Sequence, residues 1–285
     1  MMFVTRRFLL AAPAGAALLL ARPLRAQDTF AAIEGRTGGR LGVAILDASG
    51  ATRALHRAEE RFPMCSTFKL LLAACVLKRV DEGRERLDRR IAYSKSDLVT
   101  YSPVTAPQAG EGMSVGDLCA ATVTLSDNTA ANLLLATLGG PEGFTAMLRA
   151  MGDPTTRLDR WETALNSAEP GDPRDTTTPL AMARDIRALV AGPLLAPASR
   201  ALLVAWLEGC KTGDKRLRAG LSSWQVGDKT GTGDNGTVND VGFARPPGAA
   251  PDTPPLILCA YLTQSRLDTA GSEAALASVA RLAAA

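Results

Sequence analysis

Residues 41–46 run apolar and β-branched, and Asp47-Ala48-Ser49-Gly50 supplies a polar turn after them. Residues 53–61 alternate, which predicts a second strand and hence a hairpin. Phe62-Pro63 bars any helix at that point, because the residue before a proline is pushed out of the α region. A long apolar run then predicts a helix from Ser66 to a stop at Gly83. Helical patterns follow at 118–125, 129–138, 141–151, 179–191 and 197–207, punctuated by Gly139-Gly140 and Gly192-Pro193. Residues 153–179 have no periodicity and are rich in Pro, Asp and Thr. Strand patterns resume at 224–233, 237–244 and 256–262, and a helix over 272–284 closes the chain. Two strands at the start and three at the end predict one antiparallel sheet with a helical block inserted between them. That is an α+β fold, with the site expected at the seam between its parts. No internal repeat is visible.

Residues 1–26 stand apart from this pattern. Thr5-Arg6-Arg7 gives a positive start, residues 9–20 an apolar run, and Leu24-Arg25-Ala26 a cleavage-site pattern. The run is too short, and too interrupted by Pro13 and Gly15, to span a bilayer, so a signal peptide is expected. Arg6-Arg7 followed by Phe8-Leu9 resembles a twin-arginine signal. A periplasmic or secreted protein with no membrane attachment after cleavage is therefore expected. The remaining chain divides into an α/β part, 27–61 with 208–285, and an all-α part, 62–207.

Charge follows from that division. The whole chain has 32 basic and 29 acidic residues. Residues 1–26 hold Arg6, Arg7, Arg22 and Arg25 and no acid, which leaves 28 basic against 29 acidic residues, or −1. A near-neutral surface argues against nucleic acid or an anionic membrane as partner. Five scattered cysteines (65, 75, 119, 210 and 259) show no C-x-x-C spacing, so neither a disulfide framework nor a zinc site is indicated. His56 is the single histidine; it excludes histidine-rich metal centres and reads as an exposed strand residue. No metal and no cofactor are expected.

Candidate chemistry begins at Cys65-Ser66-Thr67-Phe68-Lys69, where Ser66 and Lys69 share a helix face at i and i+3. A purely structural reading has Ser66 capping the helix and Lys69 snorkelling to water. Ser126-Asp127-Asn128 falls in a polar break between helices, where a cap is again the simple role. Glu162 and Asn166 lie in the irregular 153–178 stretch, and Lys229-Thr230-Gly231-Thr232 enters a strand, where a solvated edge lysine is the simple role. Each is weak alone. Together and in this order, S-x-x-K, S-D-N, E-x-x-L-N and K-T-G resemble the class A serine β-lactamases along essentially all of the chain after residue 26.

The resemblance implies a serine β-lactamase / DD-peptidase-like fold in three layers. It also implies a monomer that takes β-lactam small molecules. Ser66 is then the nucleophile, activated by Lys69 or, through a water, by Glu162. Ser126 protonates the departing lactam nitrogen, and Asn128 donates to the substrate's side-chain amide. The backbone N–H groups of Ser66 and Thr232 form the oxyanion hole. Lys229, Thr230 and Thr232 line the substrate's path, Gly231 leaves room for substrate against the strand, and Tyr101 falls in a matching run, Tyr101-Ser102-Pro103-Val104-Thr105. Arg216 is the expected anchor for the substrate carboxylate, because Val238 and Ser272 occupy the family's other two arginine positions. Glu162 and Asn166 hold the deacylating water on an Ω-loop, 160–175, closed by an Arg160–Asp175 ion pair.

This chain also departs from the family. Thr163 replaces the proline that many relatives carry after the glutamate. Gly233 stands where some relatives carry the partner of Cys65. Ala73 stands opposite Cys119, with Cys75 turned about 200° away on the helix, so both family disulfides are expected to be absent. Two alternatives also acylate Ser66. A DD-peptidase or transpeptidase lacks the deacylation loop that Glu162 and Asn166 imply. A non-enzymatic antibiotic sensor wants a membrane tether, and no apolar segment after the signal is long enough.

Overall fold

The computed structural model describes residues 22–250 and 253–284; the expected signal segment up to Ala21 lies outside the described residues. Along the chain come α1 (Arg22–Thr37), β1 (Arg40–Leu46), β2 (Thr52–His56), β3 (Phe62–Pro63) and α2 (Phe68–Asp81). Then follow β4 (Arg90–Ile91), β5 (Met113–Ser114), α3 (Val115–Thr124), α4 (Asn128–Thr137) and α5 (Gly140–Ala150). The rest is β6 (Thr176–Thr177), α6 (Pro179–Val190), α7 (Pro197–Glu208), α8 (Leu217–Gly220), β7 (Gln225–Gly233), β8 (Thr237–Arg245), β9 (Leu256–Thr263) and α9 (Thr269–Ala283).

The five long strands form one antiparallel sheet in the order β2-β1-β9-β8-β7, so strands from both chain ends meet as expected. Successive side chains on a strand point to opposite faces. Leu41, Val43 and Ile45 pack on one face with Phe30 and Ile33 of α1 and Leu276 and Val279 of α9. Ala44, Leu46, Phe243, Ile257 and Tyr261 point the other way into a core shared with α2 to α7. Sheet and two helical layers make the three-layer α+β arrangement.

At the centre lies α2, buried on every side from Phe68 to Leu77. A helix enclosed all round shows no polar stripe. Burial of Leu70, Leu71, Leu72 and Leu77, about 1.5–3 kcal/mol each, outweighs propensity in holding it. Several other helices start where a side chain satisfies a free N–H. Ser114 accepts from Asp117 N (3.1 Å), Thr178 from Ala181 N (3.1 Å) and Asp268 from Gly271 N (2.7 Å). No helix among the described residues is long and apolar enough to cross a membrane.

Two expectations need correction. The strand expected over 53–61 ends at His56, because Arg57 takes φ +43° and breaks the ladder; Phe62 and Pro63 instead pair with Thr177 and Thr176. His56 is not an exposed strand residue. Its Nε2 lies 2.8 Å from Glu34 Oε2, and Glu34 also accepts from Arg57 Nε at 2.6 Å. Glu34 comes from α1, a helix that the hydrophobic pattern did not predict.

Candidate active site

The site is a cavity of about 310 Å³ lined by Ser66, Tyr101, Ser126, Asn128, Asn166 and Arg216, with Thr212, Thr230 and Thr232. Its floor is the start of α2. Ser66 sits in a 3₁₀ turn, Cys65–Thr67, that feeds directly into the helix, and its side chain makes no cap bond. Lys69 does not snorkel: its side chain is 0% exposed. Its Nζ lies 2.9 Å from Glu162 Oε1 and donates to Asn128 Oδ1 (2.5 Å) and Ser126 O (2.8 Å). Ser66 Oγ donates to the same Glu162 Oε1 at 3.4 Å. Burial pushes the Lys69 ammonium below its usual range, opposed by the Glu162 carboxylate.

Ser126 stands between two amines. Lys229 Nζ donates to its Oγ at 2.9 Å, and Lys69 Nζ reaches it at 3.4 Å. Lys229 is fully buried, although β7 is the edge strand, because α7 and the 3₁₀ turn pack against β7. Burial, with Lys69 nearby, holds its pKa down to about 8. Asp127 is the capping member of its motif. It accepts from Ala130 N (2.8 Å) to start α4, and from Val104 N, Thr105 N and Thr105 Oγ1 to fix the 100–105 loop. That loop carries Tyr101, 54% exposed at the mouth with φ +65°. Asn128 Nδ2 donates to Thr100 O (2.8 Å), so Asn128 joins Lys69 to the same loop.

Arg216 is 5% exposed and faces this cavity. Its guanidinium donates to Gly231 O (3.0 Å), Asn239 O (2.8 Å) and Thr232 Oγ1 (2.8 Å), and Nε lies 3.3 Å from Glu273 Oε1. Arg218 points elsewhere, to Asp228 Oδ1 (2.7 Å) and the carbonyls of Leu207 and Glu208. Gly231 requires a correction. A Cβ there would meet Met64 O at 2.6 Å and Thr67 N at 3.2 Å. The absent side chain therefore lets β7 close on the turn that holds Ser66, and is not what makes room for a ligand.

The 160–175 loop delivers the carboxylate. Arg160 Nε donates to Asp175 Oδ2 at 2.6 Å, and Asp175 Oδ1 accepts from the backbone N–H of Asp159 and Arg160. The Glu162–Thr163 peptide is cis. Asn166 Nδ2 donates to Glu162 Oε2 at 2.6 Å. A serine hydroxyl and a buried amine thus both lie within hydrogen-bond reach of one carboxylate, beside a pair of cations suited to an anionic ligand. Such a set can form and then hydrolyse an acyl ester.

Known proteins resemble this chain over most of its length. The profile of the β-lactamase enzyme family matches residues 25–285. β-Lactamase CTX-M-8 of Citrobacter amalonaticus is 47% identical over 269 residues, covering 94% of this chain and 91% of its own. β-Lactamase AST-1 of Nocardia asteroides is 49% identical, covering 90% and 82%. The ancestral class A β-lactamase inferred for Gram-negative bacteria superposes with a TM-score of 0.87 at 59% identity, over 91% of this chain and 98% of that one. The chain belongs to the class A β-lactamases.

In this β-lactamase the described cysteines are all unpaired and buried, in line with the two missing family bridges. A Cβ on Gly233 would lie 2.6 Å from Cys65 Sγ, so the expected partner position is indeed beside Cys65 and glycine fills it. Two lining or supporting residues escaped the sequence reading. Asn132 holds the Glu162 main chain from both sides, Nδ2 to Glu162 O and Oδ1 from Glu162 N, each at 3.0 Å. It lies one turn after Asn128 on α4, in the 126–134 run that also extends the family match. Thr212 Oγ1 lies 2.5 Å from Thr230 Oγ1; it comes from a loop with no pattern of its own.

Proposed function

We propose that this cavity opens β-lactams through an acyl ester on Ser66 and releases the product with water. Ser66 Oγ attacks the lactam carbonyl carbon, and its proton leaves through the Lys69–Glu162 pair. The backbone N–H groups of Ser66 and Thr232 receive the oxyanion. The C–N bond breaks as Ser126, bonded to Lys229 and within reach of Lys69, passes a proton to the nitrogen. Glu162 and Asn166 then orient a water, Glu162 takes its proton, and the ester is hydrolysed. Lys229, Thr230, Thr232 and Arg216 receive the substrate carboxylate. Asn128 has one amide N–H beyond its bond to Thr100 for the substrate's side-chain amide, and Tyr101 forms the wall. The proposed setting is the periplasm or the exterior, reached by the twin-arginine route, with the chain acting as a monomer.

One observation carries the reading: Glu162 stands in hydrogen-bond reach of both Ser66 and Lys69 while bonded to Asn166. A transpeptidase or an acylated sensor has no use for that deacylating carboxylate. Sustained ring opening of a penicillin by the purified protein, followed spectrophotometrically, is the expected result. A single equivalent consumed and held would instead favour those alternatives.

Arg216 supplies a second expected result. A charge-assisted hydrogen bond is worth roughly 1.5–3 kcal/mol, so Arg216→Ala lowers kcat/KM for penicillin by about 10- to 150-fold. Steady-state kinetics on Arg216→Ala and Arg218→Ala together check it. A larger loss from Arg218→Ala would reassign the anchor.

A further inference from the structure

Behind Arg216 the structure holds two carboxyl groups that the chemistry above does not use. Asp228 on β7 and Asp240 on β8 are each 0% exposed, and their side chains are in hydrogen-bond contact. Asp228 Oδ1 accepts from Arg218 Nε at 2.7 Å, and Asp240 Oδ2 accepts from Leu217 N at 3.0 Å. The remaining oxygens, Asp228 Oδ2 and Asp240 Oδ1, are buried with no donor. Two ionised carboxylates cannot face each other in this way. Each orphan oxygen forfeits a hydrogen bond in a low dielectric, and their charges repel. One proton between them cures both faults.

We infer that Asp240 holds a proton on Oδ1 and donates it to Asp228 Oδ2, and that this bond positions the Arg216 segment against the strand bearing Lys229. The choice of Asp240 follows from the partners. Asp228 keeps its charge because the Arg218 guanidinium is bonded to it. Asp240 has only a backbone N–H on its other oxygen, and Arg216, whose charge also acts on it, is already bonded to Gly231 O, Asn239 O, Thr232 and Glu273. Of the other titratable groups nearby, Cys210 and Lys229 act on Asp228 and Cys259 of β9 on Asp240 by charge alone; Lys229 follows Asp228 on β7 and so points to the sheet's other face, as Cys259 does relative to Asp240. Burial and the neighbouring Asp228 charge both push the Asp240 carboxyl well above the usual range.

The positioning role is geometric. Leu217 N is tied to Asp240 and Arg218 to Asp228, so the two residues after Arg216 are tethered to adjacent strands, and the shared proton joins the tethers. Asp228 Oδ2 lies 1.6 Å from where a Cβ on Gly213 would stand, so only glycine lets the 210–214 loop close over the pair.

Proton counting tests the first half without reference to activity. An unfolded aspartate is ionised at neutral pH, so unfolding wild type in denaturant releases a proton that Asp240→Asn never held. The asparagine amide can still donate to Asp228. Wild type is therefore expected to release about one proton more than Asp240→Asn at neutral pH; equal release would overturn the inference. The second half rests on Arg216 as carboxylate anchor. Asp240→Ala is expected to raise KM for penicillin about tenfold with kcat changed less, the mark of lost uniform binding, and Asp240→Asn to restore it. An unmoved KM in Asp240→Ala, or no rescue by Asp240→Asn, would overturn the positioning role while leaving the hydrolytic reading intact. If Asp240→Ala does not fold, a wild-type-like KM in Asp240→Asn supports the role, and a KM raised tenfold in that variant overturns it.

Discussion

Glu162→Ala is expected to consume one equivalent of penicillin and then fall nearly silent. Acylation and deacylation call on different groups at this site. The Glu162 carboxylate raises the pKa of Lys69 against the effect of burial; remove it, and Lys69 shifts further towards the neutral amine. A neutral amine one turn from Ser66 can still take the serine proton, so the ester forms. Among the described residues no second carboxylate is bonded to Asn166 or to Ser66 Oγ, so the water lacks its base. General-base catalysis contributes about 10²- to 10⁴-fold, and steady-state kcat should fall by at least that much. The loop itself should survive, because Asn132 holds residue 162 by its backbone and the Arg160–Asp175 pair closes the loop independently. Stopped-flow traces with intact-protein mass spectrometry read both halves of the result. Turnover above a tenth of the parent rate would show that another group deacylates.

The order and type of the larger elements were legible because local patterns carry them. Apolar runs bounded by Pro179, Pro197 or the Ser114 and Asp268 caps became helices, and the period-2 stretches at both chain ends became the sheet. The motif residues were legible for another reason: their spacing matched a family, and the fold gathers them in the cavity or bonded to its lining. What stayed hidden depends on partners far away in the chain. His56 read as exposed because its partner Glu34 sits on α1, a helix whose apolar face, Phe30 and Ile33, is short and adjoins the expected signal segment. Gly231 was assigned to the ligand side because sequence cannot show which neighbour a missing Cβ would strike. Asp228 and Asp240 carry no signal in the sequence; it is the register of β7 and β8 that buries them next to each other. Buried polar pairs are tertiary facts, and no local period encodes them.

Ser66→Ala is expected to abolish hydrolysis and covalent labelling together. In the described structure the Ser66 hydroxyl is the one that lies at the start of α2, in reach of Glu162, with Lys69 one turn on. Ser126, the other serine of the cavity, is held by Lys229 and takes φ +59° just before the cap of α4, outside the helical turn itself, whereas Ser66 lies within the 3₁₀ turn that feeds α2. Loss of a serine nucleophile costs on the order of 10⁶ in kcat in serine hydrolases. Stability should barely move, since the hydroxyl makes only the 3.4 Å contact to Glu162 and the Lys69–Glu162 pair remains. The variant therefore separates binding from chemistry: it should still retain penicillin reversibly through Arg216, Lys229 and the threonine hydroxyls. Mass spectrometry after prolonged incubation should find unmodified protein. A persistent adduct on Ser66→Ala would mean that another residue is the nucleophile, and the roles proposed for Lys69 and Glu162 would fall with it.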